Sequence, residues 1–155
     1  MEPCESCTIA KAKQKSVEKQ SETENRATKP GERMYSDLSK IVVPQELGFS
    51  IPKLNWHMIV DEYSKCRFSR FYDAKNDMIQ PTCEFLKKCE QAGKPCKYLR
   101  QDDSGENKAL GKEVNSKGWQ LGITIEYTGA GTPQRNHLVE LGFASVSNKG
   151  RALLT

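Results

Sequence analysis

From about Arg33 onward the chain alternates short β-rich segments with amphipathic stretches, and this order constrains the fold more than any other feature. Met34–Leu38 is a first strand candidate that can continue through Ile41–Val43. Trp56–Val60 and Arg67–Tyr72 are rich in β-branched and aromatic residues and read as strands two and three. The polar gap between them, Asp61–Lys65, suits an antiparallel hairpin. Asn76 to about Gln91 is helical: Met78, Cys83, Phe85, Leu86 and Cys89 recur at helix spacing, with Asn76 or Asp77 as cap and Gly93 beyond the end. Pro81 fits such a helix only in its first turn, where a missing N–H is tolerated. Cys96–Arg100 is strand four, Asn107–Asn115 a short helix and Ile123–Tyr127 strand five. A Gly-rich loop then leads to a last helix carrying Glu140. The expected class is α/β, a mixed sheet flanked by helices, with strands one, four and five as parallel neighbours.

Ahead of this unit, residues 8 to 33 carry almost no large apolar side chains and cannot bury enough surface to offset the entropy of ordering. They read as a polar linker. The chain has 155 residues, enough for one domain of ordinary size, and no run approaches the roughly 18 apolar residues of a membrane span. Nothing resembles a signal peptide, so a soluble intracellular protein without a membrane partner is expected. A formal net charge of +4 permits a polyanionic partner without demanding one.

Asp37 on the first strand, Asp102 at the end of the fourth and Glu140 on the last helix could converge if strands one and four are adjacent. Hard carboxylate oxygens from separate elements are what a two-metal phosphoryl-transfer site requires. Patterning alone leaves this as one acidic triplet among many, since the chain has 20 acidic residues. Cys4-Glu5-Ser6-Cys7 is a CxxC pair, open to reading as a zinc half-site, a redox pair or coincidence. The other four cysteines, at 66, 83, 89 and 96, read as structural thiols. Asp61 and Glu62 read as ordinary acidic residues of a turn, and Trp56 and Trp119 as packing residues.

Four blocks, in order, resemble the catalytic core of Copia-type retrotransposon integrases. Tyr35-Ser36-Asp37-Leu38 is similar to the family's His-Ser-Asp-Leu, and Asp61-Glu62-Tyr63-Ser64 to its Asp-Asp-Tyr-Ser hairpin. Leu99 through Glu106 resembles Leu-Arg-Ser-Asp-Asn-Gly-Gly-Glu, and Thr132 through Glu140 resembles Thr-Pro-Gln-Gln-Asn-Gly-Val-Ala-Glu. Between Asp102 and Glu140 stand 37 residues (140 − 102 − 1), near the family's spacing. The resemblance covers about Glu32 to Phe143. It implies a ribonuclease H-like fold with a five-stranded mixed sheet, and DNA 3′-end processing and strand transfer. Asp37, Asp102 and Glu140 would be the catalytic residues, binding Mg²⁺ or Mn²⁺. Double-stranded DNA, both element ends and target, would be the partner, and a homo-oligomer is compatible with that reading. The location would be nuclear if the protein is functional.

The same resemblance divides the chain into residues 1–32, a zinc-module remnant with a flexible linker, and residues 33–155, a catalytic core shortened at its C-terminus within a larger polyprotein. Cys4 and Cys7 would be half a zinc site that needs upstream histidines. The chain's two histidines, His57 and His137, lie within the core. Nucleic-acid contacts are implied for Arg135 and Asn136 and for the linker lysines Lys11, Lys13 and Lys15, although a solvated linker is the plain reading of those lysines. Departures from the pattern fall at Tyr35, at Asp103, at Arg135-Asn136-His137 and at Leu141-Gly142, where the family carries a basic pair. The alternative is a catalytically inactive ribonuclease H-like nucleic-acid-binding module.

Overall fold

The computed structural model describes residues 26–42, 53–128 and 136–153. Five strands form one sheet: β1 Arg33–Val42, β2 Lys53–Asp61, β3 Arg67–Tyr72, β4 Tyr98–Asp102 and β5 Thr124–Thr128. Their spatial order is β3-β2-β1-β4-β5. The three N-terminal strands pair antiparallel, whereas β1–β4 and β4–β5 are parallel. Three helices flank the sheet: α1 Ile79–Gln91, α2 Gly105–Val114 and α3 His137–Leu153. This is the mixed α/β sheet expected from the order of segments, with β1, β4 and β5 adjacent and parallel.

Alternation along the strands divides two apolar layers. Met34, Ile59 and Leu99 point to α1, α2 and the short 3-10 turn before α1, where they meet Met78, Cys83, Leu86, Leu110 and Val114. Tyr35, Trp56, Met58 and Val60 point the other way and pack on Val139 of α3, with Leu138 and Phe143 beside it. Each fully buried side chain of this size contributes about 1.5–3 kcal/mol of transfer free energy. α3 can lie close to β2 because Gly142 lacks a Cβ; one built there would fall 2.5 Å from Met58 Sδ. Trp56 stacks on Phe71 of β3 and meets Phe143 edge-on, while Trp119 packs against the first layer. Both tryptophans therefore serve packing.

Several boundaries differ from the expectations. β4 begins at Tyr98 instead of Cys96, because its parallel partner β1 begins at Arg33, which pairs with Tyr98; ahead of that pair the Lys97 amide reaches across to the Glu32 carbonyl. The single helix expected over Asn76–Gln91 is a 3-10 turn, Lys75–Met78, followed by α1. Its cap is not a side chain at position 76; Asp77 Oδ2 instead accepts the amide of Ala74 at 3.1 Å. Pro81 falls in the first turn of α1, where it removes no intrahelical bond.

Asp61 and Glu62 do more than shape a turn. Asp61 is 3% exposed; its Oδ1 accepts the Gly31 amide at 3.0 Å and its Oδ2 accepts the Ser64 amide at 2.9 Å. Glu62 accepts the Ala27 amide at 2.7 Å and the Tyr35 hydroxyl at 3.2 Å. The β2–β3 hairpin thereby clamps the segment that leads into β1.

Candidate catalytic site

Parallel pairing of β1 with β4 runs from Arg33–Tyr98 to Tyr35–Arg100. Two residues further along each strand stand Asp37 and Asp102, level with each other at the point where pairing has ended. Parallel strands that part at their C-terminal ends open a mouth there, the usual position for a site in such sheets. Asp37 shares the parity of Tyr35, and Asp102 that of Arg100, so both side chains belong to the face covered by α3. Glu140 lies in the first turn of α3, exposed and next to the fully buried Val139.

Electrostatics tie the three acids together. The pKa of Asp37 is pushed up to about 6, first by burial and then by the negative charges of Asp102 and Glu140. The Leu38 amide, which donates to Asp37 Oδ1 at 2.8 Å, and the Lys75 ammonium act in the opposite direction. Like charges gathered in a half-buried place disfavour ionisation unless a cation joins them. Among the described residues, no group of three or more histidine, cysteine, aspartate or glutamate side chains has the geometry to hold a metal ion. The donor chemistry nonetheless fits a hard divalent cation: carboxylate oxygens only, with Asp37 and Asp102 level on adjacent strands.

Polar side chains support this mouth from several elements. Lys75, in the 3-10 turn after β3, forms an ion pair with Glu106 at the start of α2, and that contact holds the Glu106 carboxyl below its usual range. Asn107 donates its side-chain amide to Asp102 Oδ1. Asn136, 5% exposed, donates to the Ser36 carbonyl at 3.4 Å and fastens the start of α3 to β1 beside Asp37. On the opposite face of the sheet, the Ser36 hydroxyl stands 2.8 Å from His57 Nε2, and burial depresses the pKa of that histidine to about 4. Away from the mouth, Arg33 and Arg100 share Glu126 at 2.9 and 2.8 Å, and Arg100 also donates to the Tyr35 hydroxyl at 3.4 Å. Tyr35, which stands where the family pattern has histidine, is thus part of a buried polar chain.

Asp37, Asp102 and Glu140 are therefore brought within electrostatic reach, and Asn136 is found beneath the surface. His137 is exposed at the start of α3. Cys4, Cys7, Lys11, Lys13, Lys15 and Arg135 lie outside the described residues. Lys75, Gln101 and Asn107 were not singled out from the sequence. Asn107 had a signal: with Leu110, Gly111 and Val114 it completes the buried stripe of α2, where a polar residue needs a reason. A separate cleft of about 300 Å³ lies between β2–β3 and α1, lined by His57, Phe68, Arg70, Tyr72, Glu84 and Lys88, on the opposite face of the sheet.

No protein-family profile and no curated protein matches the sequence. Solved structures do resemble it. The catalytic core domain of HTLV-2 integrase in complex with magnesium aligns in its trimeric form with a TM-score of 0.53 and 17% identity, over 83% of this chain and 76% of that one. Its dimeric form gives 0.51 and 18%, over 83% and 77%. A chain of a simian T-cell lymphotropic virus intasome, solved with PP2A regulatory subunit B56 gamma, gives 0.54 and 16% over 77% of this chain. This chain spans 40% of that intasome chain's length. At such identities the shared property is the fold, which is that of integrase catalytic cores, ribonuclease H-like. Among the described residues no helix is long and apolar enough to cross a membrane.

Proposed function

We propose that this chain is the catalytic core of a Copia-type retrotransposon integrase, carrying out metal-dependent 3′-end processing and strand transfer on double-stranded DNA. The observation that carries the reading is the level placement of Asp37, midway along β1, and Asp102, at the end of β4, just beyond the last β1–β4 pair, with the charge of Glu140 acting on Asp37. Bound Mg²⁺ or Mn²⁺ would supply Lewis-acid stabilisation of the attacking and leaving oxygens. Asp37, Asp102 and Glu140 would hold the ions.

In end processing, a water oxygen attacks a phosphorus of the DNA backbone and gives up a proton, the bond to the 3′-oxygen breaks, and that oxygen takes up a proton and leaves as a 3′-hydroxyl. In strand transfer, the freed 3′-hydroxyl attacks a target phosphorus, loses its proton, and displaces a second 3′-oxygen. Neither step needs a covalent enzyme intermediate, so the site requires no nucleophilic side chain. Lys75, held by Glu106, sits where it can offset phosphate charge at the mouth. Arg135 and the linker lysines Lys11, Lys13 and Lys15 would contact the DNA backbone, a sequence-blind and salt-sensitive interaction. Asn136 would serve that interface from beneath, by fixing the start of α3. Residues 1–32 would be the linker and half of a zinc module, with Cys4 and Cys7 binding zinc only alongside histidines supplied from elsewhere.

The test is nicking of a supercoiled plasmid, and joining to it of a short duplex with recessed 3′ ends, by the purified chain in Mn²⁺ or Mg²⁺. Metal-dependent nicking and joining lost in Asp102→Asn supports the reading. Activity unchanged in that variant contradicts the carboxylate assignment. Salt-sensitive DNA binding with no cleavage in either metal would instead point to an inactive binding module.

A further inference from the structure

Two amide side chains buried beside Asp102 have no place in the chemistry described so far. Gln101 is 0% and Asn107 1% exposed. Gln101 Nε2 donates to the backbone carbonyl of Asn107 at 2.6 Å, and Asn107 Nδ2 donates to Asp102 Oδ1. The Asn107 backbone amide is held in turn by the Ser104 hydroxyl, the N-cap of α2, at 3.4 Å. The amide orientations follow from their partners. A carboxylate and a carbonyl only accept, so both side chains must turn their NH₂ groups toward them.

That orientation leaves Gln101 Oε1 and Asn107 Oδ1 buried without a hydrogen-bond partner among the described residues. A buried unpaired amide oxygen is unfavourable, and at position 107, on the apolar stripe with Leu110 and Val114, a leucine would avoid it. What leucine would not supply is a donor to one particular oxygen of Asp102. Helix formation gives no reason for it either, because the amide points back to the strand instead of capping a helical N–H.

We propose that Asn107 is a positioning residue for Asp102: by occupying Oδ1 it fixes the rotation of the carboxylate and leaves Oδ2 for a divalent cation shared with Asp37. Gln101 holds the backbone of Asn107 and so keeps the donor in register. The inference rests on the metal-binding reading of Asp102. Partners that orient a ligating carboxylate typically change metal affinity by about 10–100-fold when removed.

The test measures Mn²⁺ binding without DNA, by electron paramagnetic resonance titration of free Mn²⁺, in wild type, Asp102→Asn, Asn107→Leu and Asn107→Gln. Circular dichroism and thermal melting establish that each variant is folded. The expected result is Mn²⁺ binding lost in Asp102→Asn, weakened roughly tenfold or more in Asn107→Leu, and partly restored in Asn107→Gln, which keeps the donor. If Asn107→Leu does not fold, Asn107→Ser reads the same effect, its hydroxyl being too short to replace the amide. Wild-type affinity in a folded donor-less variant, with binding still lost in Asp102→Asn, overturns the positioning role alone. Mn²⁺ binding absent from wild type, or unchanged in Asp102→Asn, overturns this inference together with the metal reading beneath it.

Discussion

Asp37 on β1 stands level with Asp102 on β4, two residues beyond the last paired position of the parallel ladder. The two acids face the same side of the sheet, and the charge of Asp102 helps to raise the pKa of Asp37 to about 6. Ionised at neutral pH, Asp37 therefore works against the fold that holds it, as groups kept for chemistry often do.

Asp37→Asn should stabilise the protein at pH 7. The folded-state pKa lies above the ordinary value of 3.8, so the folded chain binds more protons than the unfolded one between about pH 4 and 6. The cost of ionisation is complete above pH 6 and absent below pH 4. Urea denaturation without metal should show a gain of about 1–3 kcal/mol at pH 7 that disappears near pH 4. A variant less stable than wild type at pH 7 would show that Asp37 is a structural acid.

The buried His57 gives the opposite slope. Its folded-state pKa of about 4 lies below the ordinary 6.5, so the unfolded chain takes up the extra proton as pH falls through that interval. His57 thus lowers stability progressively from pH 6.5 to 4, by about 2–3 kcal/mol in all. His57→Gln, which keeps a polar partner for Ser36, should flatten this loss relative to wild type. Because Asp37 and His57 act in opposite senses between pH 4 and 6, the two variants should diverge most clearly at the acid end of that range.

Two helical glycines should respond differently to alanine. A Cβ at Gly142 would meet Met58 Sδ at 2.5 Å and Val60 Cγ2 at 3.4 Å, both in the packed layer under α3. Overpacking there costs about 1–3 kcal/mol, more than the ~1 kcal/mol that alanine gains in helix propensity. At Gly111 the closest atom is the hydroxyl of the exposed Tyr127, the far end of a side chain that can swing away. Chemical denaturation should find Gly142→Ala destabilised and Gly111→Ala near neutral. On the proposed function, Gly142→Ala should also lower metal-dependent nicking, because α3 carries Glu140.

Asp61→Ala should be among the more damaging single changes outside the mouth. It removes the acceptor of the buried Gly31 amide, at a cost of about 1–3 kcal/mol, whereas the exposed Ser64 amide can turn to water. A loss of about 1–3 kcal/mol is expected in urea unfolding, together with faster hydrogen exchange at Gly31. Stability within 0.5 kcal/mol of wild type, roughly the effect of an ordinary surface change, would refute the clamp.

The fold was legible because short β-rich segments punctuated by polar residues alternate with helical stripes, and the parallel crossovers then left little freedom in strand order. Boundaries were less legible where a partner strand decides them. Cys96 has a strand-like side chain, but β1 begins at Arg33, which pairs with Tyr98. The acidic triplet could be chosen among many only through the four ordered blocks. Asn107 and Gln101 are not legible in the sequence because their meaning is directional: composition records an amide, and only the fold turns the NH₂ of Asn107 toward Asp102 and that of Gln101 toward the Asn107 carbonyl. The hairpin acids looked like turn residues because the segment they clamp is distant in sequence, 30 residues for Gly31 and 35 for Ala27.

The most direct measurement is a crystal structure grown with Mn²⁺, with an anomalous difference map recorded at the manganese edge. A peak is expected in the mouth between β1 and β4, coordinated by Asp37 and by the Oδ2 of Asp102, with Glu140 drawn toward it. Well-ordered Asp37 and Asp102 with no manganese between them at saturating Mn²⁺ would contradict the catalytic reading of this fold.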